Sequence, residues 1–100
     1  MQAEIQAEVV WRLHTAAGHL HAICELVEAG RPCEEVIHQL RAVKAALRVA
    51  GTRLLACQIK LSEEIIINGS VEARTAELAR LHKLYTLLVQ QPDYESEANE

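Results

Sequence analysis

Hydrophobic residues recur every three or four positions along most of the chain, which is the period of an amphipathic α-helix. The first series predicts a helix over roughly residues 3–29. Gly30 is a natural stop for this helix, and Pro32 suits the first turn of the next one. The members of the first series are Ile5, Val9, Leu13, Ala16, Leu20, Ile23 and Val27.

The second series predicts a helix of about 36 residues that ends near Asn68-Gly69, on the order of 54 Å long at 1.5 Å per residue. The rest of so short a chain cannot cover an apolar stripe of this length, so we expect a second protomer to cover it. In mid-helix, Gly51 indicates a bend, a close crossing of paired long helices or a tolerated glycine. The series comprises Val36, Leu40, Val43, Leu47, Ala50, Leu54, Cys57, Leu61 and Ile65.

Ser70 is a good N-cap for a third helix, which Pro92 ends. Residues 92–100 lack an apolar period and predict a disordered acidic tail, so residues 1–91 would form a single helical oligomerising domain. The predicted fold class is all-α, with three helices per protomer and one long central helix. The apolar stripe assigned to the third helix is Val71, Leu78, Leu81, Tyr85 and Leu88.

Composition indicates the cellular compartment in which we expect the protein. The longest apolar runs fall short of the roughly 18 to 20 residues of a membrane span, and Glu4 and Glu8 stand where a signal peptide would be basic. Three cysteines without a CxxC pair are a poor disulfide or zinc-finger pattern. We therefore expect a cytoplasmic protein with reduced thiols and no membrane partner.

Charge is distributed unevenly along the chain, whose formal net charge is -4. Between Arg12 and Lys60 basic residues outnumber acidic ones, and the acid excess lies at the two ends. Arg41, Lys44 and Arg48 recur at helical spacing away from the apolar stripe, and Arg12 adds a charge from the first helix. These four residues are candidates for binding DNA phosphates; the alternative is an ordinary solvated helix face.

The order of these features resembles the CsoR/RcnR family of small helical bacterial repressors, over about residues 9 to 90. A cysteine that opens a long helix and is followed six residues later by Gln-Leu is the most specific part of the pattern. The resemblance rests on Arg12-Leu13, Gly18, His19, Ile23, Leu26-Val27-Glu28, Cys33, Val36, Gln39-Leu40, Ala42-Val43, Ala45-Ala46-Leu47, Gly51 and Leu54-Leu55.

The resemblance implies an antiparallel dimer with a four-helix core, and a dimer of dimers that binds operator DNA. It also implies that an effector binds between protomers and releases the DNA, because such a ligand favours the state that does not bind DNA. The family's DNA-contacting arginine corresponds to Arg12.

The family's effector cysteine corresponds to Cys33, in the first turn of the long helix, where the helix dipole favours a thiolate. The copper and nickel members add two ligands from the partner's long helix, at the positions of Gln58 and Ser62. Neither residue suits Cu(I), and persulfide sensors carry a cysteine at the position of Ser62. Cys57 is a possible substitute thiol, although its place in the apolar series favours a buried role.

The effector therefore stays open among a metal ion, formaldehyde and a persulfide. Cu(I), Ni(II), Co(II) and Zn(II) are the metals to consider. The resemblance implies that formaldehyde sensors use the same cysteine together with an N-terminal amine, and the Cys33 thiolate alone would suit attack on the aldehyde carbon. A competing hypothesis is a helical oligomeric interaction module that has lost metal sensing or DNA binding. An enzyme is not expected, since the sequence shows no acid/base pair, nucleophile triad or phosphate loop.

Overall fold

The computed structural model describes residues 1–90, which form three α-helices and no strand. Helix α1 spans Ala3–Glu28, α2 spans Cys33–Asn68 and α3 spans Val71–Val89. The predicted all-α class, the three helices and the long central helix are confirmed. The acidic tail predicted for residues 92–100 lies outside the described residues.

The helices begin and end at the predicted signals, except that Pro32 precedes the first turn of α2 instead of lying in it. Gly30 adopts a left-handed conformation with φ of 70°, which ends α1 in the way that glycine allows. Pro32 occupies the N-cap position of α2, so Cys33 is the first helical residue. Ser70 caps α3 as expected, because its hydroxyl accepts a hydrogen bond from the backbone N–H of Ala73.

The long helix α2 lies between the other two helices, and both run antiparallel to it. The Glu8 carboxylate meets Arg53 and the His19 ring meets Gln39, so α1 covers the N-terminal and middle parts of α2. Leu88 packs near Gly51 and Glu77 meets Ser62, so α3 covers the C-terminal part. Among the described residues α1 and α3 do not pack on each other.

The three helices therefore form a thin single layer instead of a closed bundle. The extents are 59 × 40 × 13 Å, and the smallest is close to the diameter of one helix. The radius of gyration is 18.3 Å, well above the roughly 13 Å of a compact chain of this size. A layer one helix thick has no enclosed core of its own.

Burial follows from this shape. The buried apolar residues form two heptad-spaced sets along the contact between helices, whereas large apolar side chains elsewhere stay 37–71% exposed. The buried sets are Val9, Ala16 and Ile23 on α1, and Val43, Ala50 and Cys57 on α2.

Two expectations from the apolar pattern need correction. The stripe assigned to α3 is covered by α2 along one edge only, because Leu81, Leu84 and Leu88 are partly buried whereas Leu78 and Tyr85 are 51% and 53% exposed. Gly51 accommodates the Leu88 side chain of α3 within the same chain, so its place in the helix does not require a second long helix.

Candidate functional site

Cys33 is exposed at the start of α2, immediately after Pro32. Gln58 and Ser62 belong to the other end of the same helix. At 1.5 Å per residue, Gln58 lies about 37 Å along the axis from Cys33. One chain therefore cannot bring these three positions together, and the described residues contain no cluster of three His, Cys, Asp or Glu side chains that could hold a metal ion.

Gln58 and Ser62 are joined by hydrogen bonds within one turn of α2. The Gln58 side-chain amide donates to Ser62 Oγ at 3.2 Å, and Ser62 Oγ lies 2.9 Å from the Gln58 carbonyl oxygen. Ser62 is only 1% exposed. A buried hydroxyl with these contacts is tied to its own helix and is a weak ligand for a soft metal.

Glu77 of α3 completes this polar cluster, and the sequence reasoning missed it. Its Oε1 accepts a hydrogen bond from Ser62 Oγ at 2.5 Å and another from Arg80 at 3.0 Å. These contacts hold the pKa of Glu77 below its usual value, with the Ser62 hydrogen bond as the largest cause. The sequence did contain a signal for this contact, because Glu77 stands at helical spacing before Leu81, Leu84 and Leu88, which face α2.

Cys57 does not share the face of Gln58. It is 3% exposed and continues the heptad series of Val43 and Ala50, so the buried position favoured by the sequence is confirmed. Cys24, by contrast, is exposed on α1. Cys33 and Cys24 are thus the thiols that a reagent can reach in the isolated chain.

Beside the polar cluster, a largely apolar recess of about 450 Å³ opens between α2 and α3. Leu54 and Gln58 of α2 and Leu87 of α3 line the recess, so these three residues mark one face of the layer. Leu40 and Leu47, at steps of seven before Leu54, lie on the same face and are 39% and 46% exposed.

The predicted basic residues of α2 do come together. Arg41, Lys44 and Arg48, with Ala45, line a shallow groove of about 260 Å³, called here the basic groove. All three cations are exposed, and within residues 1–90 none forms an ion pair with a carboxylate. In the part of the chain that the structure describes, the groove therefore presents three charges without a carboxylate partner on one helix.

Arg12 is placed differently from the other predicted DNA contacts. It donates to the Glu8 carboxylate at 3.1 Å, and Arg53 donates to the second oxygen of the same carboxylate at 2.9 Å. Arg53 and then Arg12 lower the pKa of Glu8. Arg12 is not among the residues that line the basic groove, and its charge is partly neutralised within the chain.

His19 also joins α1 to α2, since its Nε2 lies 2.6 Å from Gln39 Oε1. This bond ties two residues of the sequence pattern to helix pairing, which is a structural role.

A family model described as metal-sensitive transcriptional repressor matches residues 5–89, which is nearly all of the described chain. No curated protein and no solved structure matches the chain significantly. No helix among the described residues is long and apolar enough to cross a membrane.

Proposed function

The chain belongs to the metal-sensitive transcriptional repressor family, also called CsoR/RcnR, and from this premise we propose that it is an oligomeric, DNA-binding repressor controlled by an effector at Cys33. The observation that carries the proposal is a series of exposed side chains on α2 that repeats every seven residues. The series consists of Cys33, Leu40, Leu47, Leu54 and Leu61.

This series is symmetric about Leu47, with two members on each side. An antiparallel pairing of two α2 helices with Leu47 against its counterpart would set Leu40 against the second copy's Leu54. The same register would set Cys33 against the turn of the second copy that holds Gln58, Leu61 and Ser62. A single geometric rule thus supports both the predicted dimer and an effector site between protomers.

The first helix supports the same dimer. Leu13, Leu20 and Val27 repeat at steps of seven and are 43–59% exposed, beside the buried set of α1. With the α2 series they give each protomer an apolar face built from two helices, and two such faces form a four-helix core. Val71, Leu78 and Tyr85 of α3 form a separate exposed stripe, which we assign to the pairing of dimers into a homotetramer.

The residues brought together in this site do not fit a metal centre of Cu(I), Ni(II), Co(II) or Zn(II). Cys33 is a good ligand, but Gln58 and Ser62 offer neither thiolate nor imidazole, and Ser62 is already bonded to Glu77. Cys57, the possible substitute, is buried on another face. We therefore favour a small electrophile over a metal ion as the effector.

An aldehyde such as formaldehyde would need only the thiol. The Cys33 sulfur adds to the carbonyl carbon, the π electrons of the C=O bond move to oxygen, and that oxygen takes the proton lost by the thiol. The product is a hemithioacetal at the dimer interface. Strain or a lost contact there would lower DNA affinity, provided that the adduct is better accommodated in the form that does not bind DNA.

The basic groove is the proposed DNA contact. Its three cations would be repeated in every protomer, and neutralising several phosphates together gives binding that weakens steeply as salt rises. Arg12 lies beside Glu8 and would contribute less than each groove residue. The protein would act in the cytoplasm, where its operator is, and would catalyse no reaction.

The test is fluorescence anisotropy of the reduced protein with DNA from its own promoter region. Formaldehyde, a persulfide and each of the four metal ions are added in turn. Release by formaldehyde that is lost in Cys33→Ala and kept in Cys24→Ala would support the proposed site. Release by a metal in both variants would move the sensor elsewhere in the molecule.

The contribution of the groove is measured in the same assay. Lys44→Ala should weaken binding and reduce the slope of log affinity against log salt by about 0.9 for each protomer whose Lys44 contacts a phosphate, whereas Lys60→Ala serves as the matched lysine control. An absence of DNA binding even at low salt would instead favour the helical interaction module. That alternative fits the incomplete ligand set and the partly neutralised Arg12.

A further inference from the structure

The basic groove on α2 begins where α3 ends. Arg48 lines the groove, and it also lines a neighbouring recess together with Thr52, Leu88 and Val89. The last turn of α3 therefore lies directly beside one end of the groove. Whatever follows Val89 along the chain starts within reach of Arg48.

Helix α3 points along the length of the basic groove. Because Glu77 meets Ser62 and Leu88 meets Gly51, α3 runs toward lower residue numbers of α2. Lys44 and Arg41 follow in that direction, and Arg41 lies about 15 Å along the axis from Gly51. An extended chain advances about 3.3 Å per residue, so five residues beyond α3 are enough to span the distance.

The sequence beyond α3 has the charge that the groove lacks. Residues 91–100 contain four acidic residues and no Lys or Arg. The three groove cations have no carboxylate partner within residues 1–90. The acidic residues are Asp93, Glu95, Glu97 and Glu100.

We infer that residues 91–100 bind the basic groove and compete there with DNA. The regulatory consequence rests on the proposed function, because competition matters only if the groove binds DNA; the docking of the segment does not. Such a segment would favour release of weakly bound, nonspecific DNA, since the phosphates must displace carboxylates that are held at high local concentration.

Docking is tested without DNA by carbodiimide cross-linking of the chain of residues 1–100, followed by mass spectrometry. This reagent joins a lysine amine to a carboxylate that is in direct contact with it. The chain has three lysines, Lys44, Lys60 and Lys83, and Lys44 is the one in the groove. We expect residues 93–100 to be joined to Lys44 in preference to Lys60 and Lys83. Equal yields at the three lysines, or none at Lys44, would overturn the inference.

Competition is tested by neutralising the segment in the full chain with Asp93→Asn, Glu95→Gln, Glu97→Gln and Glu100→Gln. We expect roughly threefold to tenfold tighter DNA binding at low salt, with the two proteins converging as salt rises. A control changes four exposed acids elsewhere by the same net charge: Glu4→Gln, Glu28→Gln, Glu63→Gln and Glu72→Gln. An equal gain in the control would show a long-range charge effect and contradict competition.

The two readouts separate the possible failures. Cross-linking to Lys44 without any DNA binding would support docking and defeat the proposed repressor. DNA binding with no preference for Lys44 would defeat docking and leave the repressor intact.

Discussion

The hydroxyl of Ser62 on α2 lies 2.5 Å from the carboxylate of Glu77 on α3, where the two helices pack together. A hydroxyl has one proton to donate, and a carboxylate is a stronger acceptor than the Gln58 carbonyl oxygen, the other acceptor within reach. The hydrogen bond from Ser62 is the largest cause that lowers the pKa of Glu77. The Gln58 amide donates to the same oxygen of Ser62. Ser62, one of the two positions that the resemblance assigns to metal ligands, thus joins α2 to α3 in this chain.

The first prediction is that Ser62→Ala destabilises the protein. The change removes the donor for Glu77, whose side chain is only 14% exposed, and leaves its carboxylate with Arg80 alone. A lost hydrogen bond of this kind corresponds to a fall in Tm of about 5 °C for a domain of this size. Thermal unfolding followed by circular dichroism at one fixed protein concentration measures it.

Thr75→Ala is the matched control for that experiment. The Thr75 hydroxyl donates only to the Val71 carbonyl within its own helix, on an exposed face. Its removal should leave Tm nearly unchanged. A Tm loss as large as that of Ser62→Ala would mean that the Ser62–Glu77 hydrogen bond contributes no more to stability than the hydrogen bond of Thr75 within one exposed helix.

The second prediction concerns acid. Arg53 and Arg12 hold the pKa of Glu8 below its usual value of 4.5, so the folded chain binds a proton at this carboxylate less readily than the unfolded chain. The stability that Glu8 contributes is present above about pH 4.5 and is lost as the pH falls through the lowered pKa. Urea unfolding from pH 6 to pH 3 should therefore show less acid destabilisation in Glu8→Gln than in the unchanged protein.

Glu28→Gln provides the comparison, because Glu28 is exposed at the end of α1. It should keep the acid dependence of the unchanged protein. If Glu8→Gln and Glu28→Gln reduce the acid destabilisation equally, the ion pairs of Glu8 with Arg12 and Arg53 are not the source of the acid dependence.

Helical period and end signals were sufficient to predict the three helices. The Ser70 cap, the Gly30 stop and the length of α2 all depend on local chemistry, which a sequence displays directly. Which apolar residues face inward was harder to predict, because two stripes coexist on each helix of a single layer. Tyr85 was assigned to the same stripe as Leu88, yet Leu88 meets Gly51 of α2 whereas Tyr85 is 53% exposed.

The candidate site was likewise predictable from the sequence only in part. The groove cations were identified from spacing and charge, because both depend on one helix. Cys33 was identified from the resemblance to the CsoR/RcnR family. The contact of Ser62 with Glu77 and that of Arg12 with Glu8 involve pairing choices among several nearby polar residues, and the α2–α3 register needed for the first is a tertiary property. A sequence without aligned relatives contains no direct record of such choices.

The third prediction is a coupling between Gly51 and Leu88. Replacing a helical glycine by alanine stabilises a helix by about 1 kcal/mol, but a Cβ at position 51 would meet the end of the Leu88 side chain. Gly51→Ala alone should therefore change stability little. In a Leu88→Ala background the same change should become stabilising by about 1 kcal/mol. Denaturant unfolding of the four proteins checks it; additive effects would contradict the contact.

The fourth prediction tests the dimer through Leu47, the midpoint of the exposed series on α2. Leu47→Glu would place two like charges against each other at the two-fold axis and bury both, so the dimer should dissociate. Val49→Glu is the matched control, because Val49 is 43% exposed, close to the 46% of Leu47, but lies on the opposite side of α2. Light scattering coupled to size exclusion should show a reduced mass for Leu47→Glu alone. Dissociation by both variants would indicate that α2 pairs through another face, and Cys33 would then no longer meet the Gln58–Ser62 turn of a second copy.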